Sequence, residues 1–307
     1  MFFAVSPHRL RFAASLVALF VAASVLSGCA GANSSGGSPS GDTGGSGAPG
    51  PQRIVALTPA SLETLATLGL ADRVVGIAEC TCTPEALQAL PIVAGYEGVD
   101  IEQLIALEPD LVIVGGSGFT PPDAIAAMQT AGLNVLVVDP KGVDGVYATL
   151  RQIGDAVGAG DEAAALVDSI RTEIARLVAL VPAGQRPKVF YEIDATSTIY
   201  GLAPDDYAAE LIALAGGVPV TSGSAGIYEI SLEALVAAGP EVILLGDAAY
   251  GTTAEGVAAR PGWSQIPAVA DGAIRPIDGD LVTLLGPRLA AALAALIGAI
   301  HPDVTLP

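Results

Sequence analysis

From residue 53 onward, the apolar positions of the chain alternate between short unbroken runs and longer stretches with helical spacing. RIVAL (53–57) has the length of a buried strand. Thr58 with Pro59 behind it then opens a helix, because a cap hydroxyl satisfies a free N–H and proline suits the first turn, and Gly69 closes it. RVVGI (73–77) is the next strand. DIEQLIALEPDLVIVGG (100–116) reads as a capped short helix, a proline break and a fully apolar strand. PPDAIAAMQTAG (121–132) followed by NVLVVD (134–139) repeats that step. From Val143 to Val181 the spacing turns helical and stays so. DEAAALVDSIRTEIARLVALV (161–181) carries Asp161 and Glu162 in its first turn, where they suit the helix dipole. After PAGQRP (182–187), the strand KVFYEI (188–193) restarts the alternation. Such a pattern predicts an α/β fold with mainly parallel sheets covered by helices.

The second half echoes the first. IEQLIALEPDLVIVG (101–115) aligns with LEALVAAGPEVILLG (232–246) at a constant spacing of 131 residues, pairing Glu102 with Glu233, Pro109 with Pro240 and Asp110 with Glu241. Two Rossmann-like lobes follow, residues 52–141 and 183–307, joined through a helical region at 142–182 that is expected to be one long rigid helix. Two open sheets facing each other would bring their strand C-termini to a common cleft, where ligands of such sheets bind.

The first 51 residues have another character. Arg9 and Arg11 lead into the apolar run FAASLVALFVAASVL (12–26), with no acid before Asp42. A basic start, a short apolar stretch and small residues before a cut describe a secretory signal peptide, residues 1–28. The run is shorter than the ~20 residues a membrane-spanning helix needs. LSGC (26–29) resembles the bacterial lipobox, which implies diacylation of Cys29 as the first residue of the mature chain, an anchor of at least two acyl chains. The Gly/Ser/Pro-rich stretch that completes 29–51 is a flexible tether, too poor in apolar side chains to pack.

Charge narrows the function classes. The formal net charge is −19 and becomes −21 once Arg9 and Arg11 leave with the leader. That excess argues against nucleic acid, whose recognition depends on Lys and Arg at phosphates. It also repels anionic membrane surfaces and makes an acyl anchor more necessary. Cys80 and Cys82 are the cysteines left beside Cys29. They read as small buried or loop thiols; an oxidising compartment permits a bridge, although a C-x-C link is tight.

Six segments carry a resemblance that spans residues 53 to about 302: RIVALTPASLETLATLGLADRVVGI, GYEGVDIEQLIALEPDLVIV, AAELIALAGGVPV, ISLEALVAAGPEVILL, RPGWSQIPAVADGAIRPIDGD and GPRLAAALAAL. In that order the chain resembles the type III periplasmic substrate-binding proteins of ABC importers, which carry vitamin B12, ferric siderophores or heme. The resemblance implies capture of such a ligand between two α/β lobes, followed by delivery to a membrane permease whose ATPase is a separate subunit. It implies an extracytoplasmic, lipid-anchored monomer with no cofactor of its own. It also implies one Glu on the outer face of each lobe docking on permease arginines; Glu63 in SLETL and Glu210 in AAELIALAGG hold the matching motif positions. Tyr96 in GYEG matches an aromatic on the cleft wall of a cobalamin-binding relative. Tyr228, Asp247, Tyr250 and Arg288 are further candidate ligand contacts, while Trp263 reads as structural.

Departures from the family trim the ligand list. His8 leaves with the leader, so the mature chain keeps His301 alone. The zinc- and manganese-binding relatives use several cleft histidines, and no metal site is expected here. Heme ligation by His is equally unavailable, leaving Tyr as its ligand. Few basic residues are present for carboxylate-rich chelates, which tilts the reading towards cobalamin or a neutral or cationic siderophore. An enzyme is not expected. GGSGF (115–119) misses G-x-S-x-G at Phe119, and GSGAPG (45–50) fits a dinucleotide fingerprint only inside the tether. The alternative is a surface lipoprotein with another chelate or an adhesive role.

Overall fold

The computed structural model describes residues 50–80, 82–184 and 186–307. The signal peptide, Cys29 and nearly all of the tether lie outside the described residues. The first lobe holds β1 (Ile54–Ala56), α1 (Pro59–Thr67), β2 (Val74–Ala78), β3 (Ile92–Gly95), β4 (Gly98–Val99), α2 (Ile101–Ala106), β5 (Leu111–Gly115), α3 (Pro122–Thr130) and β6 (Val135–Val138). Two helices follow, α4 (Gly142–Val157) and α5 (Gly160–Val178). The second lobe holds β7 (Lys188–Glu192), α6 (Tyr207–Leu214), β8 (Val218–Val220), α7 (Leu232–Ala238), β9 (Val242–Leu245), α8 (Ala254–Ala258), α9 (Pro267–Ala270), β10 (Ile274–Pro276), α10 (Gly279–Thr283) and α11 (Leu289–Ile300).

The strands form two sheets, in the orders β4-β3-β2-β1-β5-β6 and β10-β9-β7-β8. All pairings are parallel except the short β3–β4 edge. Both faces of each sheet are covered, as the unbroken apolar runs require. Ile54 and Ala56 pack with Leu62, Leu65, Ile153 and Val157 on one face of the first sheet, and Val55 and Leu57 pack with Leu104 and Met128 on the other. In the second sheet Val189 and Tyr191 face α4, α5, α6 and α11, while Phe190 faces Trp263 and Ile266. Trp263 is buried, in keeping with its structural reading.

The internal echo holds in atomic detail. Asp100 and Ser231, 131 residues apart, cap α2 and α7 by accepting from the third N–H onward, of Gln103 and Ala234. Asp110 accepts from the backbone N–H groups of Gln52 and Arg53, and Glu241 from that of Lys188, so each acid pins the start of its lobe's central strand. The side chains of Arg53 and Lys188 in turn donate to the matched carbonyls of Leu107 and Ala238. The symmetry therefore leaves Glu102 and Glu233 exposed in the first turns of equivalent helices.

The linking region corrects one expectation. Instead of a single long helix it is an antiparallel pair, broken at Gly158, whose φ of 76° supplies the left-handed residue that ends α4. Gly154 lets the pair approach closely, because a Cβ there would meet the Cβ of Ala163. Further along, Arg151 meets Asp168 at 3.5 Å and Arg171 lies 4.6 Å over the ring of Tyr147. Val143 and Val146 at the start of α4 pack in the second lobe, and Ile153 and Val157 at its end pack in the first. The chain thus crosses from lobe to lobe on two packed helices. Cys80 and Cys82 form a disulfide in the loop after β2. Among the described residues, no helix is long and apolar enough to cross a membrane.

Candidate functional site

Parallel strands place all their C-terminal loops at one end, and here those ends face each other across the lobes. A cavity of about 500 Å³ lies between them, lined by Ser117, Gly118 and Phe119 after β5, Asp139, Pro140 and Lys141 after β6, Ile193 after β7, and Leu202, Asp205, Asp206, Tyr207, Tyr228, Thr283 and Leu285. A neighbouring cavity of about 390 Å³ shares Phe119 and adds Glu79, Tyr96, Thr120 and Pro121. Phe119 is 69% exposed and Tyr96 fully exposed, which folding alone does not explain. With Tyr228, Ile193 and Leu285, they give walls suited to a large flat ligand.

The polar part of the wall is acidic. Lys141 is its one basic group, and its Nζ sits 3.1 Å from Asp139. Asp206 caps α6 by accepting from Ala208 at 2.7 Å, and Asp205 accepts from Gly226 at 2.9 Å. Burial and then Asp206 push the Tyr228 hydroxyl above the ordinary tyrosine range. Burial pushes Tyr207 far higher, with Glu210 adding to it, and its buried hydroxyl has no hydrogen-bond partner among the described residues.

The remaining candidates separate clearly. Tyr96 and Tyr228 line the cavities. Asp247 does not: it is 6% exposed, one oxygen accepting from Thr252 Oγ1 at 2.7 Å and the other buried without a partner among the described residues. Tyr250, 79% exposed on the turn that follows, lines neither cavity. Arg288 is held 2.6 Å from Glu63 Oε1. In the free protein Arg288 and Glu63 are therefore each other's partner. The loop containing Gly286 brings them together by resting on Ala60 of α1, so the pair ties the second lobe to the first. Glu210 likewise has an internal role, accepting from the backbone N–H of Val143 at 2.9 Å and capping the otherwise uncapped start of α4.

Sequence reasoning missed Phe119, Asp139, Lys141, Asp205, Asp206 and Tyr207. A signal was present, because Phe119 and Asp139 directly follow predicted strands, where parallel sheets bind ligands. A second buried charge lies behind the wall. Glu192, at the end of β7 and next to the cleft residue Ile193, is fully buried and held by Arg260 through two bonds of 2.6 and 2.8 Å. Burial raises its carboxyl above the usual glutamate range even though Arg260 pulls the other way. Among the described residues, no group of three or more His, Cys, Asp or Glu could hold a metal ion.

This geometry has relatives. The model of the family described as periplasmic binding protein matches residues 54–281. The chain is 32% identical over 258 residues, 82% of its length and 81% of the relative's, to the uncharacterized ABC transporter substrate-binding lipoprotein YvrC of Bacillus subtilis (strain 168). It is 27% identical over 62% of its length to the vitamin B12-binding protein of Vibrio campbellii (strain ATCC BAA-1116), covering 70% of that protein. The structure of the periplasmic heme-binding protein RhuT from Roseiflexus sp. RS-1, in apo form, superposes with a TM-score of 0.72 at 27% identity, over 82% of this chain and 99% of that one. With two parallel-sheet lobes facing across a cleft and these matches over most of its length, the chain belongs to the periplasmic binding proteins, as an extracytoplasmic substrate-binding protein of an ABC transporter and not an enzyme.

Proposed function

We propose that this protein captures a cobalamin or an iron chelate, a siderophore or heme, in the interlobe cavity and delivers it to a membrane permease powered by a separate ATPase subunit. The observation that carries the reading is the pair of adjoining cavities at the strand C-termini, walled by exposed Phe119, Tyr96 and Tyr228. Names of relatives support the cargo class, since vitamin B12-binding and heme-binding proteins both stand among the matches. Removal of residues 1–28 and lipidation of Cys29 would hold the protein, as a monomer, at the outer face of the cytoplasmic membrane, in line with a relative named as a lipoprotein.

Docking on the permease has two candidate pairs with one acid per lobe. Glu63 and Glu210 hold the motif positions, each with one partner inside the free chain and Glu210 still exposed. Glu102 and Glu233 are exposed and occupy equivalent first-turn positions in the two lobes, so they present matched charges to a two-lobed partner. Equilibrium titration of the purified protein with cyanocobalamin, hemin and a panel of ferric siderophores tests the cargo. Saturable one-to-one binding of one of them at micromolar affinity or better is expected, and binding of none would refute the reading.

A further inference from the structure

The cavity wall says more about the cargo than its size does. Its ionisable groups are Asp139, Lys141, Asp205 and Asp206, with Tyr207 and Tyr228 beside them. The single ammonium lies 3.1 Å from Asp139, so the wall keeps an excess of acids over bases. The adjoining cavity adds Glu79 and no basic group among the described residues, and Arg288, which reaches the first lobe, is held by Glu63. The chain's own demands on the two second-lobe acids are modest. One oxygen of Asp205 takes the Gly226 N–H, and Asp206 takes the Ala208 N–H with the Tyr228 hydroxyl beside it, and each carboxylate keeps acceptor capacity beyond those bonds. Independently of those acids, the exposed rings of Phe119 and Tyr228 line the same cavity and mark it as a wall for a bound molecule.

Resting on the proposed function above, we infer that the cavity selects a neutral or cationic cargo whose rim donates hydrogen bonds, such as peripheral amide N–H groups, and rejects cargo that presents carboxylates. An acceptor-rich wall pairs with donors. A carboxylate brought against Asp205 and Asp206 has no cation to meet it, and like charges placed across an interface are strongly disfavoured. Selectivity of this kind separates an amide-rimmed corrinoid from a heme with two propionates.

The test uses matched probes on the purified protein: cyanocobalamin against its derivative with one peripheral amide hydrolysed to carboxylate, hemin against its bis-amide, and a ferric trihydroxamate against ferric citrate. In every pair that binds, the uncharged or cationic member is expected to bind at least about tenfold tighter. Asp205→Asn with Asp206→Asn is expected to narrow that gap, since Asn still caps α6 and keeps the fold intact. A carboxylate member that binds as tightly as its partner, or a gap unchanged by the double substitution, overturns the inference while leaving the cargo reading standing. Binding of no probe overturns both.

Discussion

Arg260→Met removes the partner of a charge that cannot reach water. Glu192 is fully buried, and Arg260 answers both of its oxygens while stacking 4.6 Å over Trp263. Breaking a buried pair from one side costs about 3–5 kcal/mol. For a domain of this size that is a fall in Tm of about 6–20 °C, at about 2–4 °C per kcal/mol. The pH dependence has a definite sign. Glu192 is raised in the folded state, so the native protein takes up its proton more readily than the unfolded chain. The stability this contributes is complete below the unfolded value and is lost as pH rises through the folded one. Without Arg260 the carboxyl rises further, with Asp247 and Asp194 adding to burial. The deficit of the variant against the parent, measured by thermal melts followed by circular dichroism, is therefore expected to shrink between about pH 7 and about pH 5. A Tm within about 2 °C of the parent at neutral pH, or a deficit of equal size at both, would refute the reasoning.

Gly154→Val drives a side chain into Ala163 and the Ala159 carbonyl, so it is expected to cost about 1–3 kcal/mol in denaturant titrations by parting α4 from α5. Glu210→Ala strips the cap from Val143 and is expected to lower stability by about 1 kcal/mol, with Glu210→Gln recovering most of it in the same titration. Phe119→Ala and Tyr228→Ala are each expected to weaken cargo binding about 3–10-fold, and Phe119→Ala to leave the melting curve unchanged, because that residue is 69% exposed in the free protein. Glu102→Ala with Glu233→Ala is expected to leave cargo affinity intact while abolishing stimulation of the importer's ATPase in proteoliposomes; full stimulation would reject the docking assignment.

The lobes were legible because each rests on local signals that agree. Strand runs such as LVIV at 111–114 are apolar on both faces, caps sit at Thr58, Asp100 and Ser231, and the 131-residue echo carries its pinning acids with it. The split linker was not, because its helical spacing runs on past Gly158 and only the left-handed turn there shows the reversal. Site residues were harder to read. Tyr96 and Tyr228 were found as aromatics in motifs, whereas Asp247 lies at a strand end but turns its carboxylate inward to Thr252. Glu63 and Arg288 stood far apart in sequence as two separate roles, and only the approach of the two lobes makes them one ion pair. Asp205 and Asp206 read as ordinary loop and cap residues until the opposite lobe closes the cavity over them.

The most direct test of the central claim is a crystal structure of the protein grown with the cargo that the titration identifies. The ligand is expected between the lobes, against Phe119 and Tyr228 and within reach of Asp205 and Asp206. A ligand seated instead in the cavity of about 420 Å³ bounded by Pro182, Arg186, Glu241 and His301, away from the strand C-termini, would contradict the account.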